Sequence, residues 1–157
     1  MSFPSFNKGG NMAKEEITKM LNQALELEHA ARIQYLSHAE LVEGENAEPI
    51  VARLKEIASD EKEHEDKFRN LIGNFLGGVP SMKIVPTKKA RTVKEILETN
   101  LQDEKNAVEV YSKVLDAINK EKGVLPYEFL TLEHDVRHVI MDEQEHIAEL
   151  KTLLAIK

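Results

Sequence analysis

Residues 49–78 give the clearest indication of the fold. They read PIVARLKEIASDEKEHEDKFRNLIGNFLGG. Apolar side chains recur here at intervals of three and four positions, a spacing that places them on one face of an α-helix. Pro49 suits the first turn of a helix, and Gly77 and Gly78 end the pattern. The face consists of Ile50, Leu54, Ile57, Glu61, His64, Phe68, Leu71 and Phe75. The segment therefore predicts a long amphipathic helix with two ionisable residues in the middle of its buried face.

Three more segments have the same spacing. Their apolar faces run from Ile17 to Val42, from Leu97 to Ile118 and from Phe129 to Leu153. Turn-forming Gly and Pro residues separate the four segments at 44–49, 77–92 and 123–126. Four long amphipathic helices are typical of a bundle. The sequence therefore predicts an all-α fold, a four-helix bundle.

The connection between the second and third helices is unusually long. It spans residues 77–92, a total of 16 residues, whereas neighbouring antiparallel helices are commonly joined by about 2–8 residues. Fully extended, the connection reaches roughly 53 Å. Bringing Glu61 and Glu104 to one level requires a crossing of roughly 35 Å. We therefore expect a long crossover along the bundle, with the second and third helices parallel.

Composition restricts the class of protein. The chain has 157 residues, and we expect a flexible N-terminal tail at 1–12 and a single bundle domain at 13–157. Its net charge of −7 disfavours binding to nucleic acid or to an anionic membrane. The absence of cysteine excludes thiolate metal sites and thiol nucleophiles, and no apolar run approaches the ~20 residues of a membrane span. We expect a cytoplasmic protein with no nucleic-acid or membrane partner.

Ionisable residues interrupt all four apolar faces near their midpoints. They are Glu28, Glu61, His64, Glu104, Glu143 and His146. Buried carboxylates are strongly destabilising unless a positive charge balances them, and Arg32 is the one cation near this level. Glutamate oxygens and imidazole nitrogens suit iron, zinc or manganese. Two glutamates plus two Glu-x-x-His pairs form the ligand set of di-iron and di-manganese bundles, so the domain is predicted to hold two metal ions.

An internal repeat supports this interpretation. Residues 60–64 read DEKEH and residues 142–146 read DEQEH, so that only the central position differs. The first and third helices share a second pattern, in which Glu28, Ala31 and Tyr35 align with Glu104, Ala107 and Tyr111. Two helical hairpins, each contributing half of a two-metal site, would give this pattern.

Several residues have simpler interpretations that stay open at this point. The six ionisable residues could be buried polar groups that fix the register of the bundle without metal. Glu26 and His29 form a third Glu-x-x-His pair off the apolar face, which we interpret as solvated or interfacial. His134 and His138 share an outer face and are expected at the surface. Tyr35 and Tyr111 are expected to pack in the core, although Tyr35, seven residues after Glu28, is also a candidate catalytic residue.

On these motifs the sequence resembles the ferritin-like superfamily from Ile17 to Leu154, and bacterioferritins within it. The matching features are Glu28 with Gln34-Tyr35 and His38-Ala39, the two DExxH motifs, and Glu104. The resemblance implies a ferroxidase centre that oxidises Fe(II) with dioxygen or hydrogen peroxide. It also implies that Glu61 and Glu143 bridge two iron ions, with Glu28 and His64 on one ion and Glu104 and His146 on the other. Manganese or a mixed pair would accept the same ligands.

The sequence also departs from the family pattern. Lys62 stands where bacterioferritins have the haem-binding methionine, which argues against haem and for a non-haem variant. Asn100 replaces an aspartate that orients a ligand histidine, and we expect its amide to keep a weaker form of that contact. The sequence continues only 11 residues past His146, so we expect no fifth helix. The sequence also resembles rubrerythrins, as a second family. Rubrerythrins carry a carboxylate at the position of Ala107 and contain a cysteine-rich module, and this sequence has neither feature.

Three functions follow from the resemblance. The first is a ferroxidase-type di-iron oxidoreductase that takes part in iron handling and detoxification. The second is a rubrerythrin-like peroxide reductase, which the preferred oxidant would distinguish. The third is a subunit of an iron-storage shell with little turnover, which the mass in solution would distinguish. A fourth alternative is a structural bundle that holds zinc, which predicts no redox turnover. We also expect a homo-oligomer, a dimer or larger.

Overall fold

The computed structural model describes residues 8–157, and these contain four α-helices and no β-strand. The helices are α1 (Lys8–Ala39), α2 (Ala47–Asn70), α3 (Val93–Lys120) and α4 (Phe129–Leu153). A single π-helical turn, Leu71–Phe75, extends α2. The predicted all-α four-helix bundle is confirmed.

The long crossover lies along α1. Near its start, the carbonyl of Val79 accepts a hydrogen bond from Asn22, and near its end the carbonyl of Lys88 lies 2.9 Å from His38 Nε2. The connection therefore runs in the direction of α1 before α3 begins. Since α1 packs as a hairpin with α2 and α3 packs as a hairpin with α4, α2 and α3 are parallel, as the length of the connection predicts.

Local sequence fixes where α3 begins. The Thr92 hydroxyl accepts a hydrogen bond from the Glu95 amide at 3.1 Å, and the Glu95 carboxylate accepts one from the Thr92 amide at 3.2 Å. This reciprocal pair satisfies backbone donors that have no partner within the helix. At the other end of the crossover, Gly77 adopts a φ of +68°, a conformation that favours glycine.

The start of α1 differs from the prediction of a flexible tail at residues 1–12. Residues 8–12 belong to α1, whereas residues 1–7 lie outside the described residues. Gly9 and Gly10 have low helix propensity, which favoured a tail in the sequence. Gly10 is buried and Ala13 is 6% exposed, so tertiary packing extends the helix through the two glycines.

Two apolar clusters form the core, and the ionisable residues lie between them. The first cluster includes Leu21, Leu25, Phe68, Leu71, Tyr111, Ile118, Leu132 and Val136. The second includes Tyr35, Leu54, Ile57, Leu97, Leu101 and Leu150. In every helix the predicted site residues fall between these two sets. The apolar clusters therefore hold the four helices in a register that brings the polar residues to one level. No helix in the described part of the chain is both long and apolar enough to cross a membrane.

Candidate metal centre

Six ionisable side chains from the four helices converge at the middle of the bundle. All of them are between 1% and 4% exposed. They form two groups of four, in each of which one ligand atom per residue lies within 4.8 Å of the others. The first group is Glu28, Glu61, His64 and Glu143, and the second is Glu61, Glu104, Glu143 and His146. The structure thus brings together all six predicted residues, and Glu61 and Glu143 belong to both groups.

The two histidines face the carboxylates through Nδ1. His64 Nδ1 lies 3.2 Å from Glu143 Oε1 and 3.5 Å from Glu28 Oε2. His146 Nδ1 lies 2.9 Å from Glu143 Oε2 and 3.2 Å from Glu61 Oε1. Each imidazole therefore presents one nitrogen to the same space as the glutamates, as a metal ligand must.

The outer nitrogen of each histidine contacts an aspartate on the opposite DExxH helix. His64 Nε2 lies 3.0 Å from Asp142 Oδ2, and His146 Nε2 lies 3.0 Å from Asp60 Oδ2. Because a carboxylate accepts, each Nε2 donates its proton outward and fixes the orientation of the ring. This contact was not predicted, although both repeats begin with an aspartate.

Asn100 does not orient a ligand histidine, so that expectation was wrong. Its Nδ2 lies 2.9 Å from His38 Nδ1 and donates to the carbonyl of Ile96, and its Oδ1 accepts from Gln34. The amide is one turn from Glu104 and is turned toward α1 rather than toward the centre. Asp60 and Asp142 supply the contact expected of this residue.

Glu28 and Glu104 each belong to only one of the two groups, and each accepts a hydrogen bond from a tyrosine hydroxyl. Tyr35 donates to Glu104 Oε1 and Tyr111 donates to Glu28 Oε1, both at 2.5 Å. Burial and the nearby carboxylates raise the pKa of both phenols, which keeps them protonated as donors. Tyr111 was expected only to pack in the core, although the repeat aligns it with Tyr35 and indicates a shared role.

The donor set fits metal ions better than it fits an empty polar core. Three buried atoms, Glu28 Oε2, Glu61 Oε1 and His64 Nδ1, have no hydrogen-bond partner. Arg32, one turn after Glu28 on α1, pairs instead with Glu65 at 2.6 Å. Four buried carboxylates and two imidazoles are the hard and intermediate donors that iron and manganese accept. Two divalent ions would satisfy the unpartnered atoms and balance the negative charge.

Without metal, the cluster retains protons. Burial and the neighbouring carboxylates raise the pKa of Glu61 and Glu143 well above the ordinary value. Burial alone would lower the pKa of His64, but contacts with Asp142 and Glu143 raise it. Burial would likewise raise the pKa of Glu28, but the adjacent Glu61 and His64 side chains lower it to about 2. An incoming metal ion must therefore displace protons.

Metal affinity is expected to fall as the pH is lowered from about 7 to about 5, by up to about tenfold per pH unit for each proton displaced. The physical reason is direct competition between protons and metal ions for Glu61, Glu143 and the histidines. Competition with a coloured chelator across this range measures the slope. Glu61→Gln should lower the number of protons released. An affinity that is independent of pH would contradict this account of the cluster.

Comparison with known proteins agrees with the geometry. Residues 18–156 match the family described as Ferritin-like domain. A bacterioferritin from Brucella melitensis biotype 1 is 29% identical over 140 residues, which cover 88% of this chain and 83% of the relative.

Solved structures share the fold. A ferritin-like, diiron-carboxylate protein from Bacillus anthracis superposes with a TM-score of 0.83 at 27% identity, covering 90% of this chain and 97% of that one. A dodecameric thioferritin from Bacteroides fragilis, a bacterioferritin-related protein, has a TM-score of 0.79 at 23% identity, covering 90% and 86%; this second likeness supports the fold alone. The family match extends over nearly all of the bundle and includes the six converging residues. The chain belongs to the ferritin-like domain family.

Proposed function

We propose that the six converging residues hold two iron ions and that the protein oxidises Fe(II) with dioxygen or hydrogen peroxide. The observation that carries the proposal is that the two four-residue groups share Glu61 and Glu143. Two shared carboxylates would hold two ions side by side, so that each ion can give one electron to the same oxidant. The likeness to bacterioferritin and to a diiron-carboxylate protein supports iron rather than zinc.

Each residue has a distinct part in this proposal. Glu61 and Glu143 would contact both ions, and the other four would contact one ion each, with Glu28 and His64 on one side and Glu104 and His146 on the other. Bound Fe(II) supplies one electron per ion to the oxidant. Asp60 and Asp142 hold the imidazoles in place, and burial excludes bulk water. Lys62, where a haem-binding methionine would stand, supports a non-haem protein.

The proposal is tested by stopped-flow absorbance after two Fe(II) per chain are added to the metal-free protein. Oxidation is expected to be much faster than in buffer and to saturate near two ions per chain. Running the reaction with dioxygen and separately with hydrogen peroxide shows which oxidant is preferred. A strong preference for peroxide would favour the peroxide-reductase alternative. Oxidation no faster than in buffer would contradict both redox functions.

Tyr35 is proposed as a catalytic residue because its hydroxyl is bonded to Glu104. Tyr35→Phe is expected to slow oxidation by about ten- to hundredfold, since a hydrogen bond to a charged group contributes about 1.5–3 kcal/mol. Two metal ions should still bind. Tyr111→Phe is the matched control because Tyr111 makes the equivalent bond to Glu28. Equal slowing in both variants would indicate that each tyrosine acts only by holding its glutamate, whereas a larger effect of Tyr35→Phe supports a direct role.

We also propose that the protein is a homo-oligomer. Ile33 and Leu36 on α1, together with Leu41 two residues after its end, are 41–47% exposed, and Met82 on the crossover is 96% exposed. Ile33 and Leu41 line the same surface groove, and exposed apolar side chains that lie together are typical of a contact between subunits.

A further inference from the structure

A cavity of about 230 Å³ adjoins the six-residue centre between α1 and α3, beneath residues 85–88 of the crossover. At its inner end lie Glu28, Glu61, Glu104 and Glu143, together with both tyrosines that contact the centre. At its outer end lie Gln34, Lys88 and Asp103. The cavity therefore connects the proposed metal ions with the α1–α3 side of the bundle.

Small residues of the internal repeat contribute to the space. Ala31 stands three residues after Glu28, Ala107 stands three residues after Glu104, and both line the cavity. Each alanine lies one turn from a site glutamate and one turn from the tyrosine of its own helix. A larger side chain at either position would occupy the volume beside the centre. The metal ligand set alone does not require alanine at these positions.

The walls have the character of a binding site for a small neutral molecule. Leu27, Ala30, Val85 and Pro86 add apolar surface. Glu28 is 1% exposed and lines the cavity, and its Oε2 has no hydrogen-bond partner. One water molecule takes about 30 Å³ of liquid volume. Two metal ions beside the four glutamates would take part of the cavity, and the remaining volume is larger than hydrogen peroxide requires.

Polar contacts hold the crossover over the cavity. The Gln34 side chain accepts a hydrogen bond from the Lys88 amide at 2.7 Å and donates to Asp103 at 2.8 Å. The Lys88 ammonium pairs with the same aspartate. His38 contacts the Lys88 carbonyl at 2.9 Å. Because these contacts fix the position of the crossover above the cavity, we expect the cavity to have a defined size.

We propose that this cavity binds the oxidant, that Ala31 and Ala107 set its size, and that it admits small alkyl hydroperoxides as well as hydrogen peroxide. The inference rests on the proposed function and specifies the substrate class of the same site. In the reaction, the O–O bond of ROOH breaks, two Fe(II) give one electron each, and two protons are taken up. The products are ROH, water and two Fe(III).

The first test compares oxidation rates of the Fe(II)-loaded protein with hydrogen peroxide and with tert-butyl hydroperoxide. Ala107→Leu is expected to slow the alkyl hydroperoxide reaction by about tenfold or more and the hydrogen peroxide reaction by less than about threefold. Ala52→Leu, on an exposed part of α2, is the matched control and should change neither rate. An unchanged ratio of the two rates in Ala107→Leu would overturn the proposal. Ala107→Val repeats the test with a smaller change, should the leucine variant fail to fold.

A second measurement needs neither metal nor turnover. Xenon binds against apolar walls in protein cavities, and Ala31, Ala107 and Val85 belong to the apolar wall of this one. Crystals of the metal-free protein under xenon pressure are therefore expected to show a xenon atom beside Ala31 and Ala107. The Ala107→Leu crystals should lack it. No xenon in the unmodified protein would overturn the assignment of this cavity. A xenon atom in the cavity together with no oxidation by any oxidant would instead overturn the proposed function, so that the two failures are distinguishable.

Discussion

Glu61→Gln and Glu143→Gln are each expected to reduce Fe(II) oxidation by about hundredfold or more, since even residues that only support a ligand contribute about ten- to hundredfold. Each of these glutamates belongs to both four-residue groups. Removing one charged oxygen donor therefore weakens both metal positions at once. The expected stoichiometry falls from two tightly bound ions per chain to one or none.

The variants that separate this mechanism from general damage come from the same cluster. Glu28→Gln and Glu104→Gln each affect only one group, so one ion per chain should still bind tightly. Glu63→Gln changes an exposed glutamate between Glu61 and His64 and should leave both rate and stoichiometry unchanged. Equilibrium dialysis with Co(II) gives the stoichiometry, and stopped-flow absorbance gives the rate. Two tightly bound ions in Glu61→Gln would contradict the assignment of shared ligands.

The fold and the convergence of the six residues were predictable because both depend on helical spacing. Residues three or four apart share one face of a helix, and Glu61 and His64 had to point the same way as Leu54 and Ile57. The length of residues 77–92 then limited the topology to a crossover. These features follow from the geometry of the α-helix and need no knowledge of side-chain contacts.

Contacts between helices were less predictable. That Asp60 would contact His146, and Asp142 would contact His64, depends on how α2 and α4 lie beside each other. Asn100 illustrates the same limit, because its contact with His38 depends on the rotation of α3 relative to α1. The helical conformation of residues 8–12 depends on burial of Gly10, which opposes the local propensity. These features depend on tertiary packing, so the spacing of residues along each helix could not predict them.

Buried Glu61 lowers the stability of the metal-free fold, whereas it strengthens metal binding. In the metal-free protein, Glu61→Gln is expected to increase the free energy of unfolding by about 1–3 kcal/mol at neutral pH. The folded-state pKa of Glu61 is raised, so folding favours its protonated form. Stability is therefore lost as pH rises above the ordinary value of 4.5 toward the raised pKa. Glutamine is uncharged throughout and has the size of the protonated acid.

Metal ions should reverse the order of stability. A ligand at about a hundred times its Kd stabilises a protein by about 2.7 kcal/mol per site, which for a chain of this size raises Tm by about 5–11 °C. Thermal unfolding of the unmodified protein and Glu61→Gln, each with EDTA and with Mn(II), measures the comparison. With EDTA the variant should unfold at the higher temperature, and with Mn(II) the unmodified protein should. If Mn(II), Co(II) and Zn(II) all leave the Tm of the unmodified protein unchanged, the cluster fixes helix register rather than binding metal. Reversal of the order would show that the carboxylates are retained for metal binding at a cost in stability of the metal-free fold.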